Sequence, residues 1–176
     1  MMNLLEPALA ETLDVDSASS RGRLGIGAGE INRLLRERLA PGVPELHLVA
    51  ETCTADGVRL RLPFTRGLLR NGSTLRGHVL MACAQTAMSA AILCKFGELR
   101  DLETVRHTMD FARPIAAGEI TIQATVCKLA RSLMFAEATF IEAGAHALAV
   151  RVTATWAQKS ANDYFNHWRQ ATPKRA

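Results

Sequence analysis

A chain of 176 residues, 48% apolar and 22% charged, has the length of one domain and enough apolar side chains to bury a sizeable core. Its formal net charge of +4 arises partly from Arg21, Arg23, Arg36, Arg38, Lys174 and Arg175, and suits at most a weak attraction for an anionic ligand. No basic run is interleaved with stacking aromatics, which argues against nucleic-acid binding.

Residues 1–27 read as a polar leader, with Gly25, Gly27 and Gly29 as a linker that lacks the strand and spacing of a nucleotide loop. Helical spacing follows over residues 28–39, where Ile31, Leu34, Leu35 and Leu39 form one stripe that Pro41 and Gly42 end. Two strands are expected over residues 45–54 and 58–63, joined by the turn Ala55, Asp56, Gly57. In the second, Val58, Leu60 and Leu62 alternate with Arg59 and Arg61, as on a sheet with one wet face. A polar loop then enters a long helix over residues 77–96, with alanines at 82, 84, 87, 90 and 91 and Gly97 as its stop. Four more strands are expected over residues 103–113, 120–129, 133–142 and 146–158. Short connections favour antiparallel neighbours. The order predicts an α+β domain over residues 28–158: one long helix on an antiparallel sheet of five or six strands, with an extra N-terminal helix. Residues 159–176 read as an amphipathic end, with Tyr164, Phe165 and Trp168, and a basic tail. A sheet covered by one helix leaves surface bare, so at least a homodimer is expected, with a homotetramer as an alternative.

Cys53, Cys83, Cys94 and Cys127 show no C-x-x-C and no compact metal spacing, so all four are expected to be free. A reduced, cytoplasmic protein follows from that usage. The N-terminus has no long apolar stretch, Glu6 and Glu11 interrupting it, and no segment has the roughly 20 apolar residues of a membrane span. The expectation is a soluble protein with no membrane partner.

The chemistry concentrates where Asn71, Gly72, Ser73, Thr74, Leu75 and Arg76 lead into Gly77, the first residue of the long helix. The first N–H groups of a helix have no intrahelical partner and carry the positive end of its dipole, and glycine lets an oxygen approach them. Gln85, eight residues on among small and sulfur-containing neighbours, is expected to be a buried polar group. The arrangement reads as a place for a carbonyl and an attacking water.

Two segments carry a family resemblance. The helix reads Arg76, Gly77, His78, Val79, Leu80, Met81, Ala82, Cys83, Ala84, Gln85, Thr86, Ala87; a later strand end reads Met109, Asp110, Phe111, Ala112, Arg113, Pro114. Together they resemble the hotdog-fold acyl-CoA thioesterases, in particular the phenylacetic-acid-degradation and 4-hydroxybenzoyl-CoA branch, over roughly residues 45–158. The resemblance implies a sheet wrapped round one helix, edge-to-edge dimers, and active sites between subunits that split an acyl-CoA into a carboxylate and free coenzyme A. It implies no cofactor beyond the coenzyme A of the substrate. The chain departs from the pattern at Gln85, where relatives carry Asp or Glu.

Carried over residue by residue, the resemblance gives the Gly77 N–H the task of polarising the thioester carbonyl, assisted by a loop amide at Asn71 beside Arg70. Gln85 takes the place of the nucleophile or general base, with the power to hold water but no useful basic pKa. Ser89, one turn later, takes the place of a water-orienting hydroxyl. His107 is a substitute base, because it shares strand parity with Val105, Met109 and Phe111 and titrates near neutrality. His78 and Met81 are expected to form the pocket wall, while Arg76, Arg113, Arg131 and Ser132 are candidates for holding the coenzyme A portion. Neither a zinc cluster nor a G-x-S-x-G elbow is present in the sequence. Two other readings compete. A hydroxyacyl-carrier dehydratase would need an acid in the helix and a histidine in the loop before it, and residues 70–96 provide neither. An acyl-CoA-binding hotdog protein that has lost its carboxylate fits Gln85 directly.

Overall fold

The computed structural model describes residues 26–39, 46–70, 73–98, 100, 102–116, 118–130, 133–143 and 147–158. The expected leader (apart from Ile26 and Gly27), the expected tail, and Asn71, Arg131 and Ser132 lie outside them.

Helix α1 (Ala28–Leu34) runs on as a wider π turn through Leu35–Leu39 and buries Ile31, Leu34 and Leu35, three of the four residues of the expected stripe. Strands β1 (Val49–Thr54) and β2 (Gly57–Leu62) form a hairpin. Gly57 is required there, because a methyl on it would collide with the Ala124 carbonyl oxygen of the next strand. Two-residue strands β3 (Leu69–Arg70) and β4 (Thr74–Leu75) pair as a miniature hairpin, which alternation over so short a span does not reveal. Helix α2 (Gly77–Phe96) follows, closed by Gly97 at φ 73° with its N–H donated to the Leu93 carbonyl at 2.8 Å. Strands β5 (Leu102–Phe111), β6 (Ile120–Leu129), β7 (Leu133–Glu142) and β8 (Leu148–Gln158) complete the sheet.

The six long strands are antiparallel neighbours in the order β1-β2-β6-β7-β8-β5. Their register lines up core residues in transverse rows. Leu60, Ile122, Phe140, Val150 and Phe111 form one, and Val58, Ala124, Ala138, Val152 and Met109 the next. Helix α2 lies across β2, β6, β7 and β1, with Ala84, Ala87, Ala90 and Ala91 fully buried against the sheet. Small side chains bring the backbones close, and the six-stranded sheet wraps the helix in the hotdog arrangement. By length and composition α2 is apolar enough to cross a membrane, contrary to the sequence reading, yet two-thirds (67%) of its most apolar window is packed inside the protein as a core helix.

The first strand of the sheet is closed off twice. The Asn32 amide of α1 donates to the Ala50 carbonyl at 2.9 Å and accepts from the Ala50 N–H at 2.7 Å, occupying both backbone groups of that β1 residue. Cys53 of β1 is disulfide-bonded to Cys94 near the end of α2, with Cα atoms 5.9 Å apart. This corrects the expectation of four free cysteines and takes away the argument from cysteine usage for a reducing cytoplasm. The pair was illegible because 41 residues separate its members and only the fold brings them together. Cys83 and Cys127 are free, the first buried and the second exposed.

Candidate active site

The start of α2 is fixed from three sides. The Arg76 N–H donates to the Leu68 carbonyl at 3.2 Å, its Nε donates to the Leu69 carbonyl at 2.9 Å, and the Leu75 N–H donates to the Ile115 carbonyl at 3.1 Å. Arg76, expected to hold substrate, therefore has its Nε committed to positioning the helix. The backbone ladder of α2 begins with the Val79 N–H, which donates to the Arg76 carbonyl at 3.0 Å, so the N–H groups of Gly77 and His78 precede it.

Gly77 has no positive φ, and a methyl built on it would stand 3.8 Å from Phe111 Cζ, an ordinary contact. The fold does not require glycine at this position. What it provides is unhindered access to the positive end of a 20-residue helix.

A cavity of about 580 Å³ opens along this end of the helix, lined by Gly77, His78, Met81, Ala82 and Gln85 of α2 and by Met109 and Phe111 of β5. Gly77, Met81 and Gln85 are spaced four residues apart and so share one stripe. Gln85 is exposed rather than buried, because β5 and β8 do not roof α2 as β2 and β6 do. A second, more enclosed cavity of about 330 Å³ adjoins it, with Phe111 as a common wall, and is lined otherwise by Thr74, Leu75, Leu80, Ala112, Arg113, Pro114 and Ile115.

The other candidates are placed as follows. Ser89 is half-buried one turn beyond Gln85 and lines neither cavity, and Arg70 is exposed on β3, also away from both. His107 lies on the helix side of β5 opposite Ala154, but Met109, two residues or roughly 7 Å further along, is the residue that reaches the larger cavity. A bulge between Thr104 and Arg106 turns Val105 out to 57% exposure, so Val105 does not share the apolar surroundings expected of its parity. The His107 ring lies 6.4 Å from that of buried Trp156, its Nε2 is buried without a hydrogen-bond partner, and burial pushes its pKa below the ordinary value. Arg113 borders the smaller cavity, yet its guanidinium donates to the Ala147 carbonyl at 2.8 Å and pairs with Glu142 at 3.3 Å. Among the described residues no group of three or more His, Cys, Asp or Glu side chains stands ready to hold a metal ion.

Sequence reasoning missed Ala82, Met109 and Phe111 as walls of the site. Their signal was present: Met109 and Phe111 alternate on β5, and Ala82 is one residue past Met81 on the exposed side of α2.

Residues 65–157, more than half of the chain, match the family model of the acyl-CoA thioesterase N-terminal domain. The chain belongs to the acyl-CoA thioesterase family. No curated protein sequence matches it, but solved thioesterase structures share its fold. Zebra fish thioesterase superfamily member 2 superposes with a TM-score of 0.68 at 16% identity, over 76% of this chain and 99% of that one. A Haemophilus influenzae thioesterase gives 0.65 at 19% identity, over 75% and 90%. AziG of S. sahachiroi gives 0.61 at 24% identity, over 69% and 98%. The hotdog thioesterase resemblance of the sequence is thereby shown, and the protein is acyl-CoA thioesterase-like.

Proposed function

We propose that this chain hydrolyses an acyl-CoA with an apolar acyl group, releasing a carboxylate and free coenzyme A, without a metal or other cofactor. The observation that carries the reading is the cavity that joins the freely approachable N–H groups of Gly77 and His78 to Gln85 along a wall of Met81, Ala82, Met109 and Phe111. A carbonyl oxygen seated against the helix N-terminus gains stabilisation as it becomes an oxyanion. Gln85 accepts from and donates to a water but cannot take its proton at neutral pH.

Gly77 and Gln85 of one chain are eight residues, roughly 12 Å, apart along the helix axis. A single thioester cannot touch both. A second copy, added through the outer side of β5, which pairs with no other described strand there, beside exposed Val105 and Phe111, is proposed to bring its own Gln85 to this Gly77. Sedimentation as a monomer at micromolar concentration would overturn that assembly.

A second reading, an acyl-CoA binder without turnover, is favoured by one observation: no carboxylate lines either cavity. One thiol-release assay separates the two. Gln85→Asp restores a carboxylate at this position, and a positioned general base contributes roughly a hundred- to ten-thousand-fold. Turnover in the natural protein that rises by that order in Gln85→Asp supports the hydrolase. No natural turnover, with tight binding of non-hydrolysable acyl-CoA analogues, supports the binder. Neither binding nor turnover sinks both. Loss of natural turnover in His107→Ala would assign the base to His107, and its survival would leave water held by Gln85 and Ser89.

A further inference from the structure

The long helix starts from a hairpin that stands outside the six-stranded sheet, since β3 and β4 form a two-stranded sheet of their own. Two of the bonds that fix the start of α2, from the Arg76 N–H to Leu68 and from Arg76 Nε to Leu69, end in this hairpin or in the turn before it. They set the helix against the hairpin, not against the sheet. The third leaves the hairpin: the Leu75 N–H donates to the Ile115 carbonyl at 3.1 Å, and Thr74 forms a β-bridge with Ala116. Where the Gly77 N–H stands relative to the sheet therefore depends on where residues 115 and 116 are held.

Those two residues lie between β5 and β6, in neither strand. Upstream of them the chain is fixed by the Ala112 and Arg113 N–H groups, which both donate to the Ala149 carbonyl, at 2.9 and 3.2 Å. Beyond Arg113, Pro114 has no N–H to give, and the Ala116 N–H donates to Glu142 Oε1 at 2.7 Å. The other Glu142 oxygen pairs with the Arg113 guanidinium at 3.3 Å. One carboxylate thus clamps both ends of the stretch 113–116. Its backbone is the last residue of β7, opposite Ile120 of β6 and so inside the six-stranded sheet.

Buried Leu68, Leu69 and Ile115 keep the hairpin attached without this clamp, but apolar packing is non-directional. Ala116 is exposed, so water can satisfy its N–H once the carboxylate is gone. What Glu142 supplies is position more than stability. We propose that Glu142 is a positioning residue for the thioester carbonyl, acting through Ala116, Ile115 and Leu75 to set the place of the Gly77 N–H. This rests on the thioesterase reading above. Glu142 lines neither cavity, so its effect comes through the backbone. Preorganised donors work only where the oxyanion will stand, so a shifted helix start weakens the transition state more than substrate binding.

The test is kcat and KM for butyryl-, octanoyl- and benzoyl-CoA in the natural protein, Glu142→Ala and Glu142→Gln, each measured well below its melting transition. In Glu142→Ala, kcat should fall by roughly ten- to a hundredfold, since a misplacement of about 1 Å costs on that order, with KM little changed. Glu142→Gln keeps an oxygen for the Ala116 N–H and should restore most of that loss. Should Glu142→Ala fail to fold, Glu142→Asp, whose carboxylate is drawn back by one methylene, replaces it with the same expected direction. If the natural protein binds without turnover, the readout is the infrared carbonyl stretch of a bound octanoyl-CoA analogue with methylene in place of the thioester sulfur. That stretch should be lowered from its free value in the natural protein and Glu142→Gln, and return towards it in Glu142→Ala. An unchanged kcat or carbonyl stretch in Glu142→Ala, a loss confined to KM, or a Glu142→Gln as impaired as Glu142→Ala overturns the role of Glu142 and leaves the thioesterase reading standing. A natural protein that neither binds nor cleaves any of the three overturns both.

Discussion

The two edges of the sheet are treated in opposite ways. At β1, Asn32 occupies both backbone groups of Ala50, α1 packs alongside, and Cys53 is bonded to Cys94 of the central helix. At β5 nothing described covers the edge; Val105 and Phe111 are exposed, and the larger cavity opens between this strand and α2. Cross-links gather at the first edge, and the cavity proposed to bind substrate lies at the second. The division fits the proposed assembly, in which a strand that receives a ligand and a second subunit could not also be sealed by its own chain.

Breaking the closed edge should have the largest effect on stability. Opening a disulfide whose members are 41 residues apart should cost about 4 kcal/mol by the chain-entropy relation, within a typical range of roughly 2–4. Denaturant melts of the oxidised protein with and without reductant, and of Cys53→Ser with Cys94→Ser, should show that loss. Acyl-CoA binding or cleavage, proposed for the other edge, should be unchanged below the melting transition. Equal midpoints would show that the bond does not hold the edge. Asn32→Ala opens the same edge more gently, leaving the Ala50 N–H and carbonyl without their partner at a cost of about 1–3 kcal/mol on the same melts.

The comparison also sharpens with pH, at smaller amplitude. His107 near the open edge has its pKa lowered by burial from the ordinary 6.5. Below that value the unfolded chain binds a proton that the folded chain resists, so stability falls as pH drops. Cys83, under the sheet, is pushed by burial from 9.0 up to about 12. As pH rises through that interval the unfolded chain has lost a proton that the folded one retains, so stability falls again. Melting temperatures should form a plateau between these limits. In His107→Ala the acid limb should be shallower, with the alkaline limb unmoved; an unchanged acid limb would mean that His107 does not report on folding.

Much of this was legible in the sequence, for reasons that differ by region. The strands with alternating apolar residues, such as Val58, Leu60 and Leu62, and the alanine-rich helix declared themselves through periodicity. Gly77, His78, Met81 and Gln85 were found because the loop-to-helix junction and the family resemblance both point to that stretch. The bonded cysteines, the Asn32 hook and the exposure of Gln85 are tertiary facts, fixed by which strands α2 covers and which it leaves open. Phe111 lay in between: its parity put it on the core face, but only the register across five strands shows it as the uncovered end of a buried row.

The hook of Asn32 on Ala50 has one further consequence. A sheet with two bare edges invites copies to add on both sides without end, which is the geometry of a fibre. Here the chain's own amide occupies the Ala50 groups of one edge strand, which makes that side less open to a neighbour. Two copies meeting edge to edge through β5 would use up both open sides and turn hooked strands outward, and growth would stop there. On that assembly Asn32 would help keep the outer strand from pairing further, and Asn32→Ala should show first as turbidity in concentrated solution.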